Sequence, residues 1–279
     1  MKFWTHHFLS FFVITSTLTA DNYSLNFDGQ NDYVDLGQNL LSGMGDFSIS
    51  LWANSTSSSS DQILIQKRDA NGFNGEYLLL FKSNGKIKIW TYRNGYQWTV
   101  VSPESYNDGE WHHIVAVQDN TINGGRLYVD GVEVGSSSNG VVNLMGPLRT
   151  YLGADMRDFN TYLNGYLDNI MIYSDVLTTD EIELLYNNDN SLNDNIVGYW
   201  NCNTGSGNIL YDQSGNANNG IIGGALWSTN TTTKSIYVST LGSDEIGDGS
   251  EENPYSTIQK GIDNANDGDS VFVAAGEYV

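Results

Sequence analysis

The stretch from Asp108 to Gly131 constrains the fold more than any other part of the chain. Its first half, from Trp111 to Asp119, is an apolar run centred on β-branched residues, and its second half is the short run Arg126 to Asp130. The asparagines and glycines between the two runs tolerate the positive φ of a tight turn. Asp130-Gly131 then leads into VEVG, and an Asp-Gly pair between apolar runs is a strong hairpin signal. The stretch therefore predicts an antiparallel unit of consecutive hairpins.

The rest of the chain also favours short strands over long helices. The chain has 30 glycines but only 3 prolines, with abundant Ser, Thr and Asn. FSISLWA at 47–53 alternates apolar and polar residues, which is typical of a half-buried strand. The one good helix is predicted at 175–187, where Thr178 or Thr179 supplies the cap and Glu181 follows in the first turn. These patterns predict an all-β fold.

The order of these motifs resembles a LamG-like (laminin G type) domain of the concanavalin A-like lectin/glucanase superfamily. The resemblance rests on FDGQNDYV at 27–34, the FSISLW strand, the WHH…YVDG centre, LNGYLDNIMIY at 163–173 and the closing helix. It implies an antiparallel jelly-roll β-sandwich over 21–188 with one short closing helix.

Two segments follow this predicted domain. Residues 189–233 resemble the opening of a second LamG-like domain, without a second WHH…YVDG centre. They are predicted either to add strands to the first sandwich, which is the preferred alternative, or to be a remnant of a repeat. Residues 234–279 resemble the N-terminal cap and first coil of a pectate-lyase-like right-handed parallel β-helix. Because a β-helix needs stacked coils, this truncated start predicts the front of a longer protein, with a complete capping strand pair as the alternative.

The N-terminal residues and the net charge constrain the cellular location and the partners of the protein. Residues 1–20 have a basic start, a short apolar run and a small residue at Ala20, which predict a secretory signal and hence a secreted or cell-surface protein. An ordinary buried strand is the alternative. The net charge of −21 repels phosphate backbones, so nucleic acid is excluded as a partner, and no stretch is long and apolar enough for membrane insertion. The single Cys202 excludes an intrachain disulfide and is predicted to be buried and inert.

The sequence predicts no catalytic residue. Glucanases of the superfamily carry Glu-x-Asp-x-x-Glu or a form one residue shorter on one strand, and no glutamate here is followed two residues later by aspartate. Beyond the signal only His112 and His113 remain as imidazoles, and adjacent strand residues point to opposite faces. One histidine is therefore expected to pack against the sheet and the other to be exposed.

The family resemblance also implies a structural Ca²⁺ ion that ties the first strand to the last. Asp28 and Asp168 stand where that pattern has its ligands, and Ca²⁺ accepts both carboxylate and backbone oxygens. The alternative is that Asp28 fills a turn and Asp168 bonds local backbone amides.

A cluster of aromatic residues around Asn94-Gly95 is the candidate ligand surface. Aromatic rings stack on the apolar faces of sugars, while polar side chains bond the hydroxyls. With Trp90 interpreted as core, the surface set is Tyr92, Arg93, Tyr96 and Trp98, flanked by the loop at 155–162.

Together these features predict a non-catalytic module that binds a glycan or a cell-surface protein and presents the following β-helix. Two alternatives remain at this point. The chain is the front of a polysaccharide-degrading enzyme whose active site lies in the β-helix, or it is a structural spacer of an adhesin.

Overall fold

The computed structural model describes residues 23–38, 40–68, 75–93, 95–141, 143–144, 148–155, 161–187, 192, 194–232, 235–247, 249–251, 253–265 and 269–278. The predicted signal at 1–20 lies outside the described residues. The first twelve strands are β1 (Ser24–Asp28), β2 (Tyr33–Gln38), β3 (Phe47–Asn54), β4 (Gln62–Lys67), β5 (Glu76–Phe81), β6 (Lys86–Arg93), β7 (Tyr96–Ser105), β8 (His112–Asp119), β9 (Gly124–Val129), β10 (Val132–Ser137), β11 (Arg149–Leu152) and β12 (Asn164–Tyr173). Then come α1 (Thr179–Tyr186), β13 (Ile196–Trp200), β14 (Ile209–Leu210), β15 (Gly220–Gly223), β16 (Leu226–Ser228), β17 (Ser235–Val238), α2 (Ile258–Asp263) and β18 (Ser270–Val273).

Sixteen of these strands form two antiparallel sheets, so the predicted antiparallel β-sandwich is confirmed. Sheet A has the order β10-β9-β8-β3-β12-β1-β16, with β13 also paired to β12. Sheet B has the order β14-β15-β2-β11-β4-β5-β6-β7. The core lies between them and is built from alternate residues of both sheets, such as Leu51 of β3 and Leu79 of β5.

The predicted central unit is present in sheet A. Strands β8 and β9 pair antiparallel, with Ile114 opposite Val129, and β10 continues from β9. Asp130 and Gly131 make the turn with φ of 51° and 77°, the left-handed values that a two-residue Asp-Gly hairpin requires.

Helix α1 covers the outer face of sheet A. Thr178 is its cap, since its hydroxyl accepts from the Glu181 amide while the Glu181 carboxylate accepts from the Thr178 amide. Ile182 and Leu185 of the helix pack on Val115 and Tyr128 of the sheet. This face is therefore a second, smaller apolar layer, and it is closed to a large ligand where the helix sits.

Residues 194–232 extend both sheets, which is the first of the two predicted alternatives. Strand β13 pairs with β12, β16 pairs with β1, and β15 joins β14 to β2. The sandwich is thereby wider than a domain that ends at α1.

The last described residues carry a strand, a helix and a second strand. Strands β17 and β18 pair in parallel, with Ile236 opposite Val271. Helix α2 is capped by Thr257, because the Thr257 hydroxyl accepts from the Lys260 amide. Parallel pairing around a crossover helix is compatible with the predicted start of a β-helix, and the β-helix itself stays a prediction.

Candidate functional site

The outer face of sheet B is the candidate site, because no described helix or strand packs across it. Alternation along β6 sends Ile87, Ile89 and Thr91 inward and leaves Trp90 and Tyr92 on this outer face. Trp90 rests on the small apolar cluster of Ile63, Leu78 and Leu80, which lies on the same face. This packing holds the half-buried Trp90 ring in place on the outer face of the sheet.

The two aromatic rings of β6 form a stacked pair. The ring centroids of Trp90 and Tyr92 are 5.7 Å apart and the planes differ by 3°. Both side chains are half-buried, and the Trp90 indole nitrogen is 3.4 Å from the Gln97 Oε1 that accepts its hydrogen. Their packing fixes the ring orientation before any ligand arrives.

Charged side chains border this pair. Arg68 donates to the Asp155 carboxylate, and its Nε lies 3.5 Å from Glu76 Oε2. The guanidinium carbon of Arg68 is also 5.8 Å from the centroid of the Trp90 ring, within cation–π range. Asp155 and Glu76 are almost fully buried, so the arginine is clamped beside the aromatic pair rather than swinging in solvent.

The structure corrects the predicted surface set. Trp98 is 1% exposed and lies in the core, where its indole nitrogen donates to Gln118 Oε1 at 3.0 Å. Trp90, which was interpreted as core, lies on the outer face instead. The reason is the strand register: Trp98 is opposite Thr91 and Thr99 is opposite Trp90, so the two tryptophans point to opposite faces.

Of the other predicted ligand residues, only Tyr92 is placed on the candidate surface. Arg93 follows Tyr92 and so points the other way, and its Nη1 donates to the Asn143 carbonyl at 3.2 Å. The Tyr96 backbone pairs with Arg93, while its side chain lies outside the described residues. Arg68 and Glu76 are not among the residues predicted from the sequence, and Asp155 is predicted only as the first residue of the flanking loop at 155–162.

The two predicted calcium ligands do not come together. Asp28 of β1 is opposite Asn164 of β12, and Asp168 lies four positions further along β12. At about 3.4 Å per residue this separates the two Cα atoms by roughly 14 Å, too far for one ion with oxygen ligands at about 2.4 Å. The prediction that Asp28 and Asp168 share an ion is therefore wrong.

The surroundings of the two carboxylates differ. Asp28 accepts from the Gln30 amide and side chain, whereas Asp168 is buried beside Thr232. Burial raises the pKa of Asp168 to about 8, which favours the uncharged acid. The described residues hold no group of three or more His, Cys, Asp or Glu arranged for a metal ion. Calcium binding elsewhere stays a prediction, which the effect of EDTA on the melting temperature tests.

The histidines and the cysteine lie away from the candidate site. His113 is buried on sheet A, with Nε2 at 2.8 Å from Ser50 Oγ and its ring packed against those of Trp52 and Tyr186. Burial lowers the pKa of His113 to about 3, so it is neutral at physiological pH. His112 is half-buried and bonds Asp130. Cys202 is buried as predicted, and burial raises the pKa of its thiol well above the usual value.

Fold and site together define a concanavalin A-like β-sandwich with a stacked aromatic pair on the outer face of one sheet. A laminin G-type family model, described as Concanavalin A-like lectin/glucanases superfamily, matches residues 28–183, more than half of the chain. The chain belongs to this family.

Solved structures show the same fold at low identity. A putative carbohydrate binding protein from Bacteroides ovatus has a TM-score of 0.58 at 12% identity, over 74% of this chain and 59% of that one. Domain 4 of an extracellular arabinanase from Geobacillus stearothermophilus, in complex with arabinotriose, has a TM-score of 0.50 at 21% identity, over 58% and 76%. A pentraxin from Limulus polyphemus has a TM-score of 0.50 at 12% identity, over 61% and 84%. No curated protein matches the chain.

Among the described residues, no helix is long and apolar enough to span a membrane.

Proposed function

We propose that this chain is a secreted or cell-surface, non-catalytic module that binds carbohydrate on the outer face of sheet B. The observation that carries the proposal is the stacked, half-buried pair of Trp90 and Tyr92 on the outer face of sheet B. A sugar ring has apolar faces and a polar rim, so an aromatic surface bordered by hydrogen-bonding groups complements it.

The charged border of the site fits this function. Arg68 is the partly exposed member of this group and can donate to a sugar hydroxyl, while its pairing with buried Asp155 and Glu76 fixes its position. Because the groups are ordered before the ligand binds, little side-chain entropy is lost on binding. Affinity then depends on the contacts themselves.

The comparisons support the same class of ligand. The Bacteroides ovatus protein is described as a putative carbohydrate binding protein, and the arabinanase domain was solved with arabinotriose. At these identities the likeness concerns the fold, so the proposal for this chain rests on its own aromatic face. Its partner is a glycan, free or carried by a cell-surface protein.

Export and the β-helix belong to the proposal as well. The signal-like residues 1–20 support secretion, and cleavage after Ala20 would be visible in the intact mass of the exported protein. The parallel pair of β17 and β18 supports a β-helix that follows the sandwich and is presented by it.

The test is a glycan array with the full chain and two variants. Trp90→Ala is expected to weaken every positive glycan by roughly ten-fold or more, since it removes the largest apolar contact of the site. Trp111→Ala is the matched control, because Trp111 is a half-buried tryptophan beside Tyr166 of sheet A. Its binding is expected to equal that of the parent.

The opposite pattern would refute the proposed site. If Trp111→Ala lost binding while Trp90→Ala kept it, the ligand would bind at sheet A. If the parent bound no glycan on the array, carbohydrate binding itself would be withdrawn.

A further inference from the structure

The candidate site is one end of a longer row of side chains that crosses sheet B. Backbone pairing places Asp35 opposite Tyr151, Tyr151 opposite Gln66, Gln66 opposite Leu78 and Leu78 opposite Trp90. Each of these residues has core-facing neighbours on its own strand, so all five point to the same outer face. The row therefore runs perpendicular to the strands.

A second aromatic pair stands at the other end of this row. The rings of Tyr33 and Tyr151 meet edge to face, with centroids 6.0 Å apart, and both side chains are half-buried. Trp90 and Tyr151 are separated by three strand-to-strand steps, which amounts to roughly 14 Å at about 4.8 Å per step. One sugar ring is too small to contact both pairs.

Shorter side chains lie between the two aromatic pairs. Gln66 and Leu78 are almost fully buried there, so they offer little surface to a ligand. A ligand that spans the row therefore makes its main contacts at the two aromatic pairs.

The far end of the row is polar and ordered in the same way as the near end. Arg149 donates from Nε to both carboxylate oxygens of Asp35, at 3.0 and 2.8 Å. Arg68 and Arg149 each pair with a carboxylate, so neither of these two guanidinium groups is available to bind an acidic sugar. The arrangement repeats one motif twice, an aromatic pair next to an arginine–carboxylate pair.

We infer that the ligand is an internal stretch of a linear glycan, which lies across the strands of sheet B and contacts both Trp90 and Tyr151. The inference rests on the proposed function and goes beyond it, since a module for a single terminal sugar would need only the Trp90 end. Binding two clusters on one rigid sheet makes affinity depend on ligand length.

The test measures affinity against chain length by calorimetry with the full chain. The probes are linear arabino-, xylo-, cello- and manno-oligosaccharides, each as disaccharide, trisaccharide and hexasaccharide. For the series that binds, the hexasaccharide is expected to bind at least ten-fold more tightly than the disaccharide. Tyr151→Ala is expected to remove most of that gain, so that the hexasaccharide binds the variant about as weakly as the disaccharide binds the parent.

Tyr166→Ala is the matched control, because Tyr166 is a half-buried tyrosine on sheet A, and it is expected to behave like the parent. Equal affinity for disaccharide and hexasaccharide would overturn the inference while leaving the proposed function intact, as would an unchanged hexasaccharide affinity in Tyr151→Ala. If no oligosaccharide of any series binds and the parent binds no glycan on the array, the proposed function itself is overturned.

Discussion

Replacing Trp98 with alanine is expected to lower the free energy of unfolding by about 3–5 kcal/mol, the usual cost of emptying a large aromatic site in a core. Trp98 is 1% exposed, and its indole nitrogen bonds Gln118 Oε1 at 3.0 Å. Its ring also lies directly on Gly125, where a Cβ atom would come within 2.2 Å of the ring. The variant would leave a cavity between the sheets and remove one hydrogen bond from the buried Gln118 amide.

The measurement is urea denaturation of the parent, Trp98→Ala and Trp90→Ala. Trp90→Ala is the matched control, since it removes the same side chain from the outer face of the same sheet. It is expected to cost less than half as much stability. Equal losses in the two variants would contradict the assignment of Trp98 to the core and Trp90 to the surface.

Replacing Lys67 with methionine is expected to stabilise the protein at pH 7 by about 3 kcal/mol. Lys67 points inward from β4, between Thr150 and Tyr77, and its side chain is fully buried. Its Nζ has no hydrogen-bond partner among the described residues, and burial lowers its pKa from 10.5 to about 8. At pH 7 the parent therefore keeps a charged amine in a site that disfavours charge.

The gain should disappear as the pH rises. Between about pH 8 and pH 10.5 the unfolded chain keeps a proton on Lys67 that the folded protein has released. The stability of the parent therefore increases with pH in this window relative to the variant, and the difference is lost near pH 10.5. Denaturation of both proteins at several pH values measures this. A variant that is less stable at pH 7, or a difference that does not change with pH, would contradict the account.

The parts of the fold that depend on neighbours in sequence could be predicted from the sequence. The hairpin from Trp111 to Val129 is fixed by apolar alternation and by the Asp130-Gly131 turn, and α1 by the capping pair Thr178 and Glu181. In both cases the stabilising contacts lie within a few residues. The local sequence is therefore sufficient to predict these two elements.

The correct placement of Trp98 in the core and Trp90 on the surface could be predicted from the sequence. An Asn-Gly pair between two apolar runs predicts a two-residue hairpin loop, hence Arg93 opposite Tyr96 and Trp98 opposite Thr91, which is the register that the strands adopt. Thr91 continues the alternation of Ile87 and Ile89, both core residues. The register of this hairpin therefore indicates that Trp98 lies in the core and Trp90 on the outer face. The aromatic cluster alone does not distinguish the two tryptophans.

Other features could not be read from the sequence. The row from Trp90 to Tyr151 joins strands far apart in the chain, and its order depends on how β11 inserts between β2 and β4. The distance between Asp28 and Asp168 likewise depends on the register of β1 against β12, which are more than a hundred residues apart. Such registers are decided by packing of the whole core rather than by local pattern.

The most direct test of the central claim, that glycan binds on the outer face of sheet B, is an NMR titration of the tryptophan indole signals. The glycan is the strongest ligand from the array, and Trp90→Ala identifies the Trp90 signal by its loss. The account predicts that the Trp90 indole shifts most, because its ring lies at the site, while those of buried Trp98 and of Trp111 on sheet A stay in place. A shift of Trp111 with an unmoved Trp90 would contradict it.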